Sequence, residues 1–159
     1  MADGRAKPEA PPGPAPEAVR GTWRLVTYVV ENEHGELIDE PLGPDPHGLL
    51  VYTPEGRVVV HLMADGREMC GSARPVDCPP DRKLAAYDSH LSYAGSYRLT
   101  GDRVFHHVSI SSFPDYVGTE LERTLRLDGD RLMLKSTPQV VRGQVRIAVL
   151  RWSRENGDR

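Results

Sequence analysis

From Gly21 onward, the chain alternates apolar and polar residues in short segments, and each segment ends in a turn. Alternation with a period of two is typical of β-strands that bury one face, because successive side chains of a strand point to opposite sides. The runs "RVVVHLM" and "RVFHHVSIS" show the pattern, and turns such as "PEG" and "DGD" supply the glycine that tight hairpins need. The sequence therefore predicts an all-β domain with mostly antiparallel strands.

The number of these segments fits either a closed barrel or a sandwich. About eight strands close into a barrel that has no exposed sheet edge and leaves room for one small ligand. A sandwich fills its middle with side chains and leaves no such room. Only the stretch "DRKLAAYDSHLSY" has helical spacing, with apolar residues three and four positions apart. These residues therefore predict about eight mostly antiparallel strands, arranged as a barrel or as a sandwich, with one short helix.

Both ends of the chain depart from this pattern. Residues 1–19 are rich in proline and alanine and contain few large apolar side chains, so we expect a disordered leader. The β-domain is predicted to span residues 20–153, and residues 154–159 are predicted to form a C-terminal tail. Association of this domain into a homodimer is left open.

Charge and composition limit the partners of this chain. The net charge of −3 provides no basic field for nucleic acid. No apolar run approaches the roughly 20 residues that a membrane span requires. The first residues lack the apolar region of a secretory signal, so we expect a cytoplasmic protein.

The two cysteines, Cys70 and Cys78 in "CGSARPVDC", are spaced too widely for a CxxC metal site. The histidines also lack tight ligand spacing, so we expect no bound metal and no other cofactor. Reduced thiols are the expected state of the cysteines in a cytoplasmic protein, and a loop-closing disulfide is the alternative.

Several segments resemble the bacterial lipocalin-like domain family. The opening "GTWRLV" resembles the Gly-x-Trp start of the lipocalins. The segments that resemble the family follow in order: "PLGPDPHGLLVYTPEGRVVVHLM", "AYDSHLSYAGSYRL", "HHVSISSFPDYVGTELERTLRLDGDRL" and the closing "LRW". The resemblance implies a lipocalin-like fold, a closed antiparallel β-barrel of about eight strands with one short helix, whose lumen binds a hydrophobic or amphipathic small molecule.

In lipocalins, the Trp-bearing face of the first strand lines the lumen, and the Trp closes its floor. Strict alternation places four residues on this face: Trp23, Leu25, Thr27 and Val29. An Arg commonly packs on the Trp, and the resemblance implies that Arg123 or Arg151 does so here. Trp23 is then a candidate for ligand contact, with a purely structural core position as the alternative.

Polar residues on an otherwise apolar strand face are the candidates for chemistry. Arg123 shares a face with leucines in "LERTLRL", where a guanidinium can anchor a carboxylate or an enolate oxygen. His61, His106 and Tyr97 are the candidates for moving a proton. His106 shares the more apolar face of its strand with Val104, Val108 and Ile110, whereas the direction of His61 is left open. For each histidine, a hydrogen-bonded core position is the alternative.

Further candidates for ligand contact combine an apolar body with a polar tip or an aromatic ring. They are Trp23, Tyr52, Tyr87, Tyr93, His107 and Phe113. Tyr93 and Tyr97 are four residues apart, so they face the same side of one strand.

Two functions remain open. Members of the family occur beside secondary-metabolite genes, which implies a cyclase or isomerase of polyketide-type antibiotic biosynthesis. Such an enzyme needs no cofactor, because a barrel that holds a reactive conformer supplies much of the rate. The alternative is a carrier or sequestering protein without catalysis. No motif of a serine hydrolase, a P-loop NTPase, a zinc protease or a dinucleotide-binding fold is present in the sequence.

Overall fold

The computed structural model describes residues 12–156. Within that range, the chain forms ten strands, two α-helices and two 3-10 turns. The strands are β1 (Gly21–Glu31), β2 (Leu37–Asp39), β3 (His47–Tyr52), β4 (Arg57–Met63), β5 (His90–Thr100), β6 (Arg103–Ser111), β7 (Glu120–Asp128), β8 (Arg131–Ser136), β9 (Gln139–Val141) and β10 (Gln144–Arg154). The helices are α1 (Pro16–Val19) and α2 (Pro80–Asp88), and the 3-10 turns are Pro75–Asp77 and Pro114–Tyr116.

The strands form a closed antiparallel barrel. Hydrogen bonding follows the order β1-β3-β4-β5-β6-β7-β8-β10, and β10 pairs with β1 to complete the circle. The two short strands β2 and β9 extend β1 and β10 outside this circle. The predicted closed barrel with a short helix is therefore confirmed, and it removes the sheet edges that would otherwise invite aggregation.

Alternation builds the core of the barrel, as β4 shows. Val58, Val60 and Leu62 are buried inside, whereas the intervening Val59 and His61 face outward. The same alternation in the other strands fills the lower part of the barrel with apolar side chains, so that only its upper part remains open.

A bulge at Val26 interrupts the alternation in β1. Leu25 pairs with Trp152, but the next pair joins Thr27 to Arg151, so Val26 is an extra residue without a partner. The bulge turns Tyr28 inward, where it packs against the core. Our prediction that Thr27 and Val29 share the face of Trp23 and Leu25 is therefore wrong.

A second bulge lies between β5 and β6. Ala94 pairs with Ile110 and Gly95 pairs with Val108, which leaves Ser109 as the extra residue. Gly95 is required here, because a Cβ at this position would lie 1.8 Å from the carbonyl oxygen of His107. Beyond the bulge, Ile110 points outward and is 66% exposed. The predicted placement of Ile110 beside His106 is therefore wrong.

Trp23 closes the floor of the barrel, as predicted. Its side chain is fully buried, and its indole Nε1–H donates to the carbonyl oxygen of Val19 at 2.9 Å. The Arg that packs on the ring is Arg154, whose guanidinium carbon lies 4.1 Å from the ring centroid. The expectation of Arg123 or Arg151 in this place is wrong, because Arg123 lies higher in the lumen and Arg151 faces outward toward Glu31.

The segment before β1 packs under this floor. Residues 1–11 of the expected leader and residues 157–159 of the expected tail lie outside the described residues. Within the described part, α1 buries Val19 completely, and Arg154 donates to the carbonyl oxygens of Ala18 and Arg20. Gly13 lies directly against the β5–β6 turn, because a Cβ there would be 1.6 Å from the oxygen of Gly101. The prediction of disorder is therefore wrong for residues 12–19.

The long connection between β4 and α2 carries a disulfide. Cys70 and Cys78 are bonded, with their Cα atoms 5.1 Å apart. This differs from the reduced thiols that we expected, since the turn at Pro75–Asp77 brings the two residues together. Neither helix in residues 12–156 is long and apolar enough to cross a membrane.

Candidate functional site

The upper half of the barrel contains a cavity of about 190 Å³. Its lining comes from β1, β5, β7, β8 and β10, and its mouth is bordered by Pro41, by Tyr116 and by Gln139 and Val141 of β9. The remaining lining residues are Tyr28, Val30, Leu91, Tyr93, Arg123, Ser136, Arg146, Ala148 and Leu150. The volume lies below the roughly 300–1,000 Å³ of pockets for drug-sized ligands, so the cavity suits a molecule with a single ring.

A hydrogen-bonded chain of three side chains lies beneath the cavity. The hydroxyl of Tyr52 is 2.7 Å from Nε2 of His106, and the hydroxyl of Tyr93 is 2.9 Å from Nδ1. His106 is fully buried and Tyr52 is 1% exposed, whereas Tyr93 lines the cavity. Only Tyr93 therefore connects this chain, Tyr52–His106–Tyr93, to the lumen.

The members of the Tyr52–His106–Tyr93 chain are neutral near pH 7. Burial lowers the pKa of His106 to about 3, and the positive charge of Arg123 acts in the same direction. Burial raises the pKa of Tyr93 to about 12 and also raises the pKa of Tyr52. A neutral imidazole carries one N–H donor and one acceptor nitrogen, so His106 accepts from one tyrosine and donates to the other.

Two arginines line the cavity, and they differ in their partners. Arg146 forms a salt bridge with Asp39 at the mouth. Arg123 donates to the backbone oxygen of its neighbour Glu122 at 2.9 Å, and within residues 12–156 it has no carboxylate partner within 4.0 Å. An inward guanidinium without a counter-ion is costly to bury, so Arg123 provides a binding group for a partly negative ligand oxygen.

Four of the predicted site residues meet in or beneath the lumen. Arg123 and Tyr93 line the cavity, while His106 and Tyr52 lie directly below it. Among the alternatives for His106, the hydrogen-bonded core position is the one found. Trp23 lies at the floor and does not line the cavity.

The other predicted site residues lie elsewhere. His61 is on the outer face of β4, where its Nε2 is 2.8 Å from Nε2 of His90. The hydroxyl of Tyr97 donates to the backbone oxygen of Thr53, so it has a structural partner in the barrel wall. Tyr87 and His107 are exposed on α2 and β6, and Phe113 packs edge-on against Tyr116 outside the cavity. Tyr97 packs against the core below the cavity, whereas His61, Tyr87, His107 and Phe113 lie on the outside of the barrel.

Sequence reasoning missed Tyr28, Tyr116, Ser136 and Arg146, which all line the cavity. The bulge at Val26 turns Tyr28 inward, and no local pattern announces it. Tyr116 comes from the 3-10 turn in "SFPDYVG", where period-two reasoning does not apply. The position of Arg146 at the cavity was not predictable, because its partner Asp39 is 107 residues away in sequence. Within the described residues, no group of three or more His, Cys, Asp or Glu side chains forms a metal site.

Comparison with known proteins agrees with this architecture. A protein of Aspergillus oryzae named 4'-hydroxy-3'-methoxypropiophenone carrier protein ppsC is 33% identical over 82 residues, which cover 45% of this chain and 74% of that protein. The model of the lipocalin-like domain family matches residues 20–155. The chain therefore belongs to the lipocalin-like domain family.

Proposed function

We propose that the barrel binds a small aromatic ketone, or a closely related oxygenated single-ring molecule, in its lumen and acts as its carrier. The observation that carries this proposal is that both Arg123 and Tyr93 line a cavity of about 190 Å³. The rest of the lining includes Tyr28, Leu91 and Leu150, which suit the faces and edges of an aromatic ring.

The similar carrier protein supports the choice of ligand class. Its name specifies a propiophenone, which has one ring, a ketone and polar ring substituents. A ketone oxygen is an acceptor, so it can accept from Tyr93 or from Arg123 in this lumen. A single ring also agrees with the size of the cavity.

A cyclase or isomerase of polyketide-type biosynthesis is the second candidate. The Tyr93 hydroxyl and the Arg123 guanidinium form a pair that can stabilise an enolate oxygen. However, none of the residues that line the cavity is a carboxylate or a histidine. Both ring nitrogens of His106 are already hydrogen-bonded, and its low pKa makes it a poor base. Catalysis would therefore depend on holding a reactive conformer, which ranks this function second.

The test is a calorimetric binding titration with 4'-hydroxy-3'-methoxypropiophenone. Arg123→Met should weaken binding by about tenfold or more, because hydrogen bonds to charged groups contribute about 1.5–3 kcal/mol. Arg151→Met is the matched control, since Arg151 lies on the outer face. Equal loss in both variants would count against lumen binding. Recovery of the ligand unchanged supports a carrier, whereas a cyclised or isomerised product supports the enzyme.

A further inference from the structure

Only one direction of hydrogen bonding satisfies every buried donor in the Tyr52–His106–Tyr93 chain. A hydroxyl has one hydrogen to donate, and a neutral imidazole has one N–H. Two arrangements are therefore possible, and they differ in which tyrosine receives the His106 N–H. The arrangement decides which tyrosine retains a hydrogen that is free for another partner.

In the first arrangement, Nε2–H of His106 donates to Tyr52. The hydroxyl hydrogen of Tyr52 must then find another acceptor, but within residues 12–156 the hydroxyl bonds only to His106. Tyr52 is 1% exposed and does not line the cavity. An unsatisfied buried donor costs about 1–3 kcal/mol, which disfavours this arrangement by roughly tenfold to a hundredfold.

In the second arrangement, Tyr52 donates to Nε2, and Nδ1–H of His106 donates to Tyr93. The hydroxyl hydrogen of Tyr52 and the N–H of His106 are then both used. The one remaining hydrogen belongs to the Tyr93 hydroxyl, and Tyr93 lines the cavity. Each bond in such a series polarises the next, so the last hydroxyl becomes a somewhat stronger donor.

We propose that Tyr52 and His106 are positioning residues that fix Tyr93 as a hydrogen-bond donor into the lumen, so that the ligand must present an acceptor oxygen. This inference takes its ligand from the proposed function. It adds that the Tyr93 hydroxyl donates a hydrogen bond to the ligand. The contact selects a carbonyl oxygen over a saturated carbon at the same place in the ligand. Arg123, which also lines the cavity, binds a second oxygen of the ligand.

The direction of the chain is testable without any ligand. Imidazole 15N spectra distinguish the nitrogen that carries hydrogen from the one that does not, and comparison with His106→Gln assigns the signal. We expect the hydrogen on Nδ1 of His106. Hydrogen on Nε2 would overturn the inference, because Tyr93 would then be donating to His106 rather than to the lumen.

The selectivity is testable with a matched pair of probes. The ketone 4'-hydroxypropiophenone and 4-propylphenol share the ring, the hydroxyl and the length of the side chain, and only the ketone has the carbonyl oxygen. The ketone should bind about tenfold more tightly, as expected for one hydrogen bond. The preference should disappear in Tyr93→Phe and shrink in Tyr52→Phe. Tyr97→Phe is the control. The ring of Tyr97 packs beside Tyr52, but the hydroxyl that is removed bonds to the backbone oxygen of Thr53.

The outcomes separate the inference from the proposed function. If neither probe binds while Nδ1 of His106 carries the hydrogen, the proposed ligand class is wrong and the donor direction stands. If both probes bind equally to the unaltered protein, the donor does not select the ligand and the inference is overturned. Loss of the preference in Tyr97→Phe as well would also overturn it, since a general loosening of the barrel would then explain the effect.

Discussion

The buried His106 makes the stability of the barrel depend on pH in a predictable direction. In the unfolded chain this side chain takes up a proton near pH 6.5, whereas in the folded protein it does so only near pH 3. Between these values the unfolded state binds more protons, so the free energy of unfolding falls as the pH falls. The contribution is fully present above pH 6.5 and is lost progressively toward pH 3.

The size of the effect follows from the shift in pKa. The slope is at most about 1.4 kcal/mol for each pH unit. Integration from pH 7 to pH 5 gives a loss of about 2 kcal/mol from this side chain alone. That is a large part of the stability of a typical domain, about 5–15 kcal/mol. The groups around the ring are Tyr52, Tyr93 and Arg123, and none of them is an acid that would stabilise a protonated imidazole.

The assay is urea unfolding of the unaltered protein and of His106→Gln at pH 7, 6 and 5. Glutamine retains a donor and an acceptor but does not titrate, and the contributions of all other groups cancel in the difference. The variant should be less stable at pH 7, and the gap should narrow by about 2 kcal/mol at pH 5. Parallel pH profiles for the two proteins would refute the reasoning, because His106 would then titrate alike in the folded and unfolded states.

Three further predictions concern the frame of the barrel. Gly95→Ala should lower the free energy of unfolding in urea by about 3 kcal/mol or more, because its Cβ would meet the backbone of His107. The nearby Ser96→Ala is the control and should have little effect. Equal stability of the two variants would contradict the close approach of Gly95 to His107. Arg154→Met should lower the free energy of unfolding by about 1–3 kcal/mol through loss of the cation–π contact and the bonds to Ala18 and Arg20. A comparable loss in Arg151→Met, on the outer face, would show that the floor contact is not special. Alkylation without a reductant should leave Cys70 and Cys78 unmodified in the intact mass, and addition of two alkyl groups would show that the disulfide does not form.

The architecture was predictable because it depends on a repeating signal. Each strand shows its buried face by local alternation, and the turn glycines mark where strands end, so the all-β class followed from these patterns and the closed barrel from the family resemblance. The alternation rule assumes, however, that every residue of a strand has a partner, and a bulge inserts one residue without a partner. The bulges at Val26 and Ser109 reversed the predicted directions of Thr27, Val29 and Ile110.

The site was predictable only in part, because its geometry depends on contacts between distant segments. Arg123 and His106 stand out as polar residues on apolar strand faces; Arg123 lines the lumen, and His106 lies directly below it. The pairing of His106 with two tyrosines depends on the register of β3, β5 and β6, which no local pattern reveals. The direction of His61 was not predictable, because its strand has apolar residues on both faces. Only the burial seen in the structure shows which face points inward.

The strands that complete the barrel are the first and the last within residues 12–156. Trp23 in β1 lies opposite Arg154 in β10, so this seam joins residues near the two ends of the described chain. During synthesis, the final turn of the circle cannot form until the last strand has left the ribosome. Until then, β1 and β8 each present an unpaired edge, and the nascent protein depends on rapid completion or on a chaperone to avoid pairing with its neighbours.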